Sequence, residues 1–152
     1  MFSSLLSLHS LFRWLTVISL LVSIMISIRG IFRRTLFSKR DNFIRHSTAT
    51  IAHIQLFIGI ILYTKSPQIR YFFSRDAIGF GEPGFFAVIH VTLMILAIIF
   101  ITLGSAFSKR KDRPTDKYRT MLLWFCLALI IILVAIPWPF SPLAHRPLFR
   151  SF

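Results

Sequence analysis

Four stretches of this chain, 14–28, 46–64, 83–108 and 120–145, contain no Lys, Arg, Asp or Glu. About 20 predominantly apolar residues cross a hydrocarbon core of roughly 30 Å as a helix. The first stretch gains that length when Arg13 and the uncharged residues 1–12 ahead of it are counted in. The pattern predicts an all-α, polytopic membrane protein. It is an antiparallel four-helix transmembrane bundle, a single membrane domain over 1–152, with helices near 9–29, 46–64, 84–106 and 120–137. A soluble domain is excluded because a chain of about 150 residues hides only roughly 70% of its unfolded surface, while 55% of these residues are hydrophobic and 17 are Phe. Period-two alternation is absent, which excludes a lipid-facing barrel. The first span has no basic segment before it and no A-x-A-like site after it, so it reads as a retained helix and not as a signal peptide.

The formal net charge of +13 would by itself suggest nucleic acid. Its placement says otherwise. The first loop carries Arg29, Arg33, Arg34, Lys39, Arg40 and Arg45, and the third carries Lys109, Arg110, Lys111, Arg113, Lys117 and Arg119. The second loop has only Lys65, Arg70 and Arg75, set among Asp76 and Glu82, and the tail has Arg146 and Arg150. Two crowded loops alternating with two sparse regions is the positive-inside pattern. It places both termini outside, expects a bacterial inner membrane, and leaves the lipid bilayer, with no nucleic acid, as the partner of the charge. Trp14, Tyr63 and Trp138 at outer helix ends, with Tyr118 and Trp124 at inner ones, suit interfacial anchors. Short loops make neighbouring helices antiparallel. The tail, with Pro137, Pro139, Pro142 and Pro147, cannot continue as regular helix. Cys126 is the only cysteine and reads as a small apolar residue.

Polar residues inside the spans carry the functional signal, because in lipid they face the bundle interior by default. They are His9, Arg13, His53, Gln55 and His90, with several Ser and Thr. At helical spacing His46, Thr50, His53, Phe57, Ile60 and Thr64 share one face of the second helix. His90 shares a face with Met94, Ala97, Ile101 and Gly104, and His9 stacks on Arg13 one turn away. Histidines from different helices, with no Asp, Glu or Cys beside them, suit haem b: the porphyrin brings four nitrogens and the protein adds one or two axial imidazoles. Zinc or copper would need three or four converging protein ligands. At 1.5 Å rise per residue, His53 falls roughly 3 Å inside the midplane, His90 roughly 7 Å outside it and His9 roughly 15 Å outside. Two axial pairs for haem iron therefore stay open, His53/His90 and His9/His90, both with a depth mismatch. Arg13 either binds a haem propionate or snorkels to the headgroups. Each histidine also has a plainer reading as an interhelical hydrogen bonder, as do Gln55, Thr50 and Ser23. Met94 reads as packing, and His46 and His145 as solvated.

The segments LHSLFRW (8–14), AHIQLFIGIILYTKSP (52–67), FFAVIH (85–90), MILAIIFITLGSAFSKRK (94–111) and IPWPF (136–140) together resemble a small four-helix membrane family of Bacteroidetes-type bacteria, often labelled "cytochrome b". The likeness runs from His9 to Phe140. It implies that His9, Arg13, His53 and His90 stand at the family's recurring His and Arg positions, and that His46 and His145 do not. Many members have an acid just before the third-helix histidine, where this chain has Ile89.

The expected function is that of a b-type cytochrome-like inner-membrane protein, passing electrons from a donor such as a quinol to a redox partner on the outer side. No nucleophile with a base, paired carboxylates, P-loop or dinucleotide fingerprint points to a substrate-converting enzyme. The alternative is a cofactor-free membrane scaffold or assembly subunit. A metal or proton transporter would need intramembrane acids or thiol clusters that the spans lack. Four short helices give a cofactor little shielding, which leaves room for a homodimer or a larger membrane complex.

Overall fold

The computed structural model describes residues 2–74, 79–141 and 144; the expectations for Arg75, Asp76, Pro142, His145, Arg146, Pro147 and Arg150 lie outside the described residues. Every regular element among them is helical: α1 (Phe2–Arg33), α2 (Lys39–Lys65), α3 (Pro67–Phe72), α4 (Gly81–Gly84), a π-helical turn (Phe85–His90), α5 (Val91–Arg110) and α6 (Pro114–Ala135). From α4 through the π turn to α5 the chain runs as one rod, Gly81–Arg110, so four helices of 32, 27, 30 and 22 residues are long and apolar enough to cross a membrane. The chain is a multi-pass four-helix membrane protein.

The helix ends differ from those read off the charge-free runs, because those runs mark the hydrocarbon crossing while local hydrogen bonding ends the helix. α2 starts at Lys39 rather than near 46. A capping box fixes that start: Ser38 Oγ accepts from Asp41 N–H (3.2 Å) while the Asp41 carboxylate accepts from Ser38 N–H (2.8 Å). α6 starts at Pro114, a first-turn proline whose missing N–H costs nothing there, and stops at Ala135 ahead of Pro137 and Pro139. The short α3, also unanticipated, obeys the same logic: Pro67 sits in its first turn and Ser66 Oγ caps the Ile69 N–H.

The helices form a ring in which α1 packs on α2 and α6, and α5 on α6 and α2. Leu20, Ile101, Met121, Phe125 and Ala128 are fully buried along its axis. Lipid gives helices no hydrophobic reason to associate, so small and hydroxyl-bearing residues set the contacts. Ser23 and Thr48 share a hydroxyl–hydroxyl bond of 2.8 Å between α1 and α2. Ser27 returns its proton to the Ser23 carbonyl (2.8 Å) and so hides its own polarity. At Gly30 the Tyr118 ring lies where a side chain would start, so a Cβ there would run into the ring. The Tyr118 hydroxyl donates to Asp41 Oδ2 at 2.8 Å, tying α6 to the α2 capping box. The crowded basic loops lie together at this end of the bundle.

Candidate functional site

At the opposite end a cleft of about 520 Å³ opens between α1, α2, the start of α3, the π turn and α5. Its walls are largely aliphatic, with Leu6, Leu56, Ile60, Ile95 and Ile98. His9, Arg13, Gln55 and His90 bring the polar groups. This volume lies in the range of small-molecule and cofactor sites, roughly 300–1,000 Å³.

His90 is placed by two local irregularities. It is the last residue of the π turn, whose wider winding shifts the facing of the next side chains relative to an α-helix. The Tyr63 hydroxyl on α2 braces that turn by donating to the Ala87 carbonyl (3.1 Å). The second irregularity is the end of α6. In a continuing helix the carbonyls of Leu133 and Ala135 would receive the N–H groups of residues 137 and 139, but both are proline and have none. Trp138 Nε1 donates to the Leu133 carbonyl instead (2.8 Å), and His90 Nδ1 donates to the Ala135 carbonyl (2.9 Å). Pro137 and Pro139 thus leave the Ala135 carbonyl free to accept from His90. With its proton on Nδ1, the neutral ring keeps its lone pair on Nε2.

His9 faces this ring. The two centroids are 6.4 Å apart with an interplanar angle of 66°. Space for the His9 ring comes from Gly59, where a Cβ would lie 3.3 Å from His9 Cε1. Gln55 is 9% exposed and donates its amide to the His9 carbonyl (3.0 Å), with the same nitrogen 3.3 Å from His9 Nε2. Two buried polar atoms here, His9 Nδ1 and Gln55 Oε1, have no hydrogen-bond partner among the described residues. Such atoms ordinarily find one. Phe85 and Phe86 lie with ring centroids 6.0 and 5.7 Å from His90. Arg13, one turn from His9, donates to Ser10 Oγ (3.3 Å) and stacks its guanidinium 5.2 Å from the Trp14 ring centroid.

Of the two histidine pairs that the sequence leaves open, the structure assembles His9/His90 and not His53/His90. His53 is exposed, does not line the cleft, and lies 3.0 Å from Thr102 Oγ1 through its Nε2. Because the Thr102 hydroxyl gives its proton to the Ile98 carbonyl (2.7 Å), His53 is the donor in that contact. The reason is rotational. Every member of the predicted stripe His46, Thr50, His53, Phe57, Ile60 and Thr64 is exposed, although Ile60 also lines the cleft, while Ala52, Gln55 and Leu62 are buried. The depth mismatch expected for His9 and His90 is also absent. A helix of 32 residues is about 48 Å long and exceeds the hydrocarbon core, so its middle does not mark the midplane. On α5 the predicted inward stripe holds, with Ala97, Ile101 and Gly104 buried. Gln55 is an interhelical hydrogen bonder as expected, and its partner is His9.

Fold and site together define a four-helix membrane protein whose first and third long helices bring two imidazoles into one apolar cleft. No protein-family model matches the chain, and comparisons with curated proteins and with solved structures give no significant match.

Proposed function

We propose that this chain is a b-type cytochrome-like membrane protein in which His9 and His90 hold haem b between α1 and α5. The observation that carries the reading is the approach of two imidazoles, from different helices, to 6.4 Å between ring centroids in a largely aliphatic cleft. Two imidazoles brought together from different helices would be the side chains to hold the group there. The donor set suits the group. Among the described residues no three His, Cys, Asp or Glu side chains converge as a metal cage, and haem iron asks the protein for only one or two axial ligands.

His90 is held as metal-binding histidines usually are, with one ring N–H on a carbonyl and the other nitrogen open. His9 has one nitrogen against Gln55 and the other without a partner, so its ring also has an atom to offer. Arg13 lines the same cleft and would be the guanidinium to bind a propionate. Phe86 and the aliphatic walls line the cleft beside the two rings. Bound there, haem would supply a one-electron couple; a quinol in the bilayer and a redox protein at the sparse end of the bundle are the partners this reading expects. The charge asymmetry favours a bacterial inner membrane.

A second reading, a cofactor-free scaffold, draws on one observation: His9, His53 and His90 each take part in an interhelical hydrogen-bonding contact. A reduced-minus-oxidised absorption spectrum of the detergent-purified protein from haem-replete cells separates the two. A sharp α-band of b-type haem is the expected outcome, and a colourless, well-folded protein contradicts it.

A further inference from the structure

We propose that the basic end of the bundle carries a specific site for the phosphate headgroup of an anionic phospholipid, independent of the two-histidine cleft. A second, shallow and open cavity lies there between the α1–α2 turn, the first turns of α2 and the start of α6. Its charged and polar lining is Lys39, Lys117, His46, Asn42 and Ser38, with Phe37 and Phe43 beside them. Among the described residues no carboxylate lines it. Asp41, the acid nearest in sequence, is engaged by Ser38 N–H and Oγ (both 2.8 Å) and by the Tyr118 hydroxyl (2.8 Å).

Asn42 is made into a donor by a buried charge behind it. Arg45 is 4% exposed and donates to the Ser105 carbonyl (2.6 Å) and to the Ser105 hydroxyl. Its other terminal nitrogen donates to Asn42 Oδ1 at 2.8 Å. With its oxygen occupied, Asn42 has only N–H groups left to present to the cavity. Among the described residues these hydrogen-bond partners of Arg45 are all neutral, and an anion in the cavity would offset part of the guanidinium's burial cost. Lys117 Nζ lies 5.6 Å from the Phe37 ring centroid, which holds a second cation at the rim. The N-terminal end of α2, opened by Lys39, adds the positive end of a 27-residue helix.

The neighbourhood argues for a lipid rather than a soluble phosphate. Phe32, Leu36 and Phe43 are 83%, 81% and 68% exposed where α1 and α2 meet, apolar surface that acyl chains cover and water does not. The crowded basic loops at this end also concentrate anionic lipid around the site.

Native mass spectrometry of the intact chain in neutral detergent, with dioleoylphosphatidylglycerol or dioleoylphosphatidylcholine added, tests this. The phosphatidylglycerol adduct should persist and the phosphatidylcholine adduct should not. Lys39→Gln with Lys117→Gln should weaken phosphatidylglycerol binding by roughly tenfold or more. Lys109→Gln with Lys111→Gln, the same charge change away from the cavity, should leave it as in the wild type. Asn42→Asp keeps an acceptor for Arg45, neutralises its charge and replaces the donor by a carboxylate that repels phosphate, so it should lose the lipid with no fall in the melting midpoint. Equal losses in both double variants, equal retention of the two lipids, displacement by millimolar inorganic phosphate, or full binding by a folded Asn42→Asp protein would each overturn the proposal.

Discussion

Purified His90→Ala protein is expected to retain almost no haem, His9→Ala to retain a weakly bound remnant, and His53→Ala to match the wild type. The ordering comes from geometry. His90 has its Nδ1 proton fixed on the Ala135 carbonyl and its Nε2 open, so it is the better-oriented imidazole and, on the proposed reading, its loss would remove the anchoring ligand. His9 is held through Gln55 by a 3.0 Å bond to its own carbonyl and only a 3.3 Å contact to its ring, so it is the less constrained partner. Even changes to groups that merely orient a metal's ligands cost about 10–100-fold in affinity, and loss of an axial ligand should exceed the upper end of that range. His53 points to lipid and bonds Thr102, so its removal affects only an exposed contact. Haem per protein, measured as the pyridine haemochrome, reads this directly. A His53→Ala protein as empty as His90→Ala would mean that the pair is wrongly assigned.

The second large effect concerns the fold. Gly104→Ala should lower stability by about 3 kcal/mol, seen as a fall in the thermal midpoint in detergent. A Cβ at this position would run into Trp124 Cβ and lie 3.1 Å from its Cγ. Neither atom can swing aside, since Trp124 Cβ is fixed by the α6 backbone and its ring is packed against Phe100 and Phe107 at 5.4 and 5.6 Å between centroids. The axes of α5 and α6 must therefore separate, and close approach through small residues is what holds helices together in lipid. His90 takes its orientation from the end of α6, so the same substitution should also weaken haem retention. An unchanged midpoint would show that this contact is not a close one.

Which parts of the site were legible in the sequence depends on what kind of force placed them. The four spans come from solvation, which acts on composition, and are readable from where Lys, Arg, Asp and Glu stop. The helix ends come from individual hydrogen bonds, such as the Ser38–Asp41 capping box and the first-turn Pro114, and these fall outside the charge-free windows. Assigning His53 to the interior took polarity as a guide to facing. It fails because the packing face of α2 is chosen by small and complementary residues, with Ala52 fully buried and Gln55 nearly so, and because His53 meets its polar need through Thr102 at the bundle surface. The acceptor for His90 was in principle legible: two prolines at 137 and 139 leave the carbonyls of 133 and 135 without helical partners, and only the fold shows which side chains take them. The π turn over FFAVIH left no comparable trace, since nothing in the composition of those six residues distinguishes it from ordinary helix.

Low-temperature electron paramagnetic resonance of the oxidised, detergent-purified protein tests the central claim most directly, because it reports the ligands of the iron and not merely the presence of colour. Two imidazoles on one haem iron predict a low-spin ferric signal that converts to high spin in His9→Ala and is unaffected in His53→Ala. A high-spin signal in the wild type, or no haem signal from a folded protein made in haem-replete cells, would contradict the account.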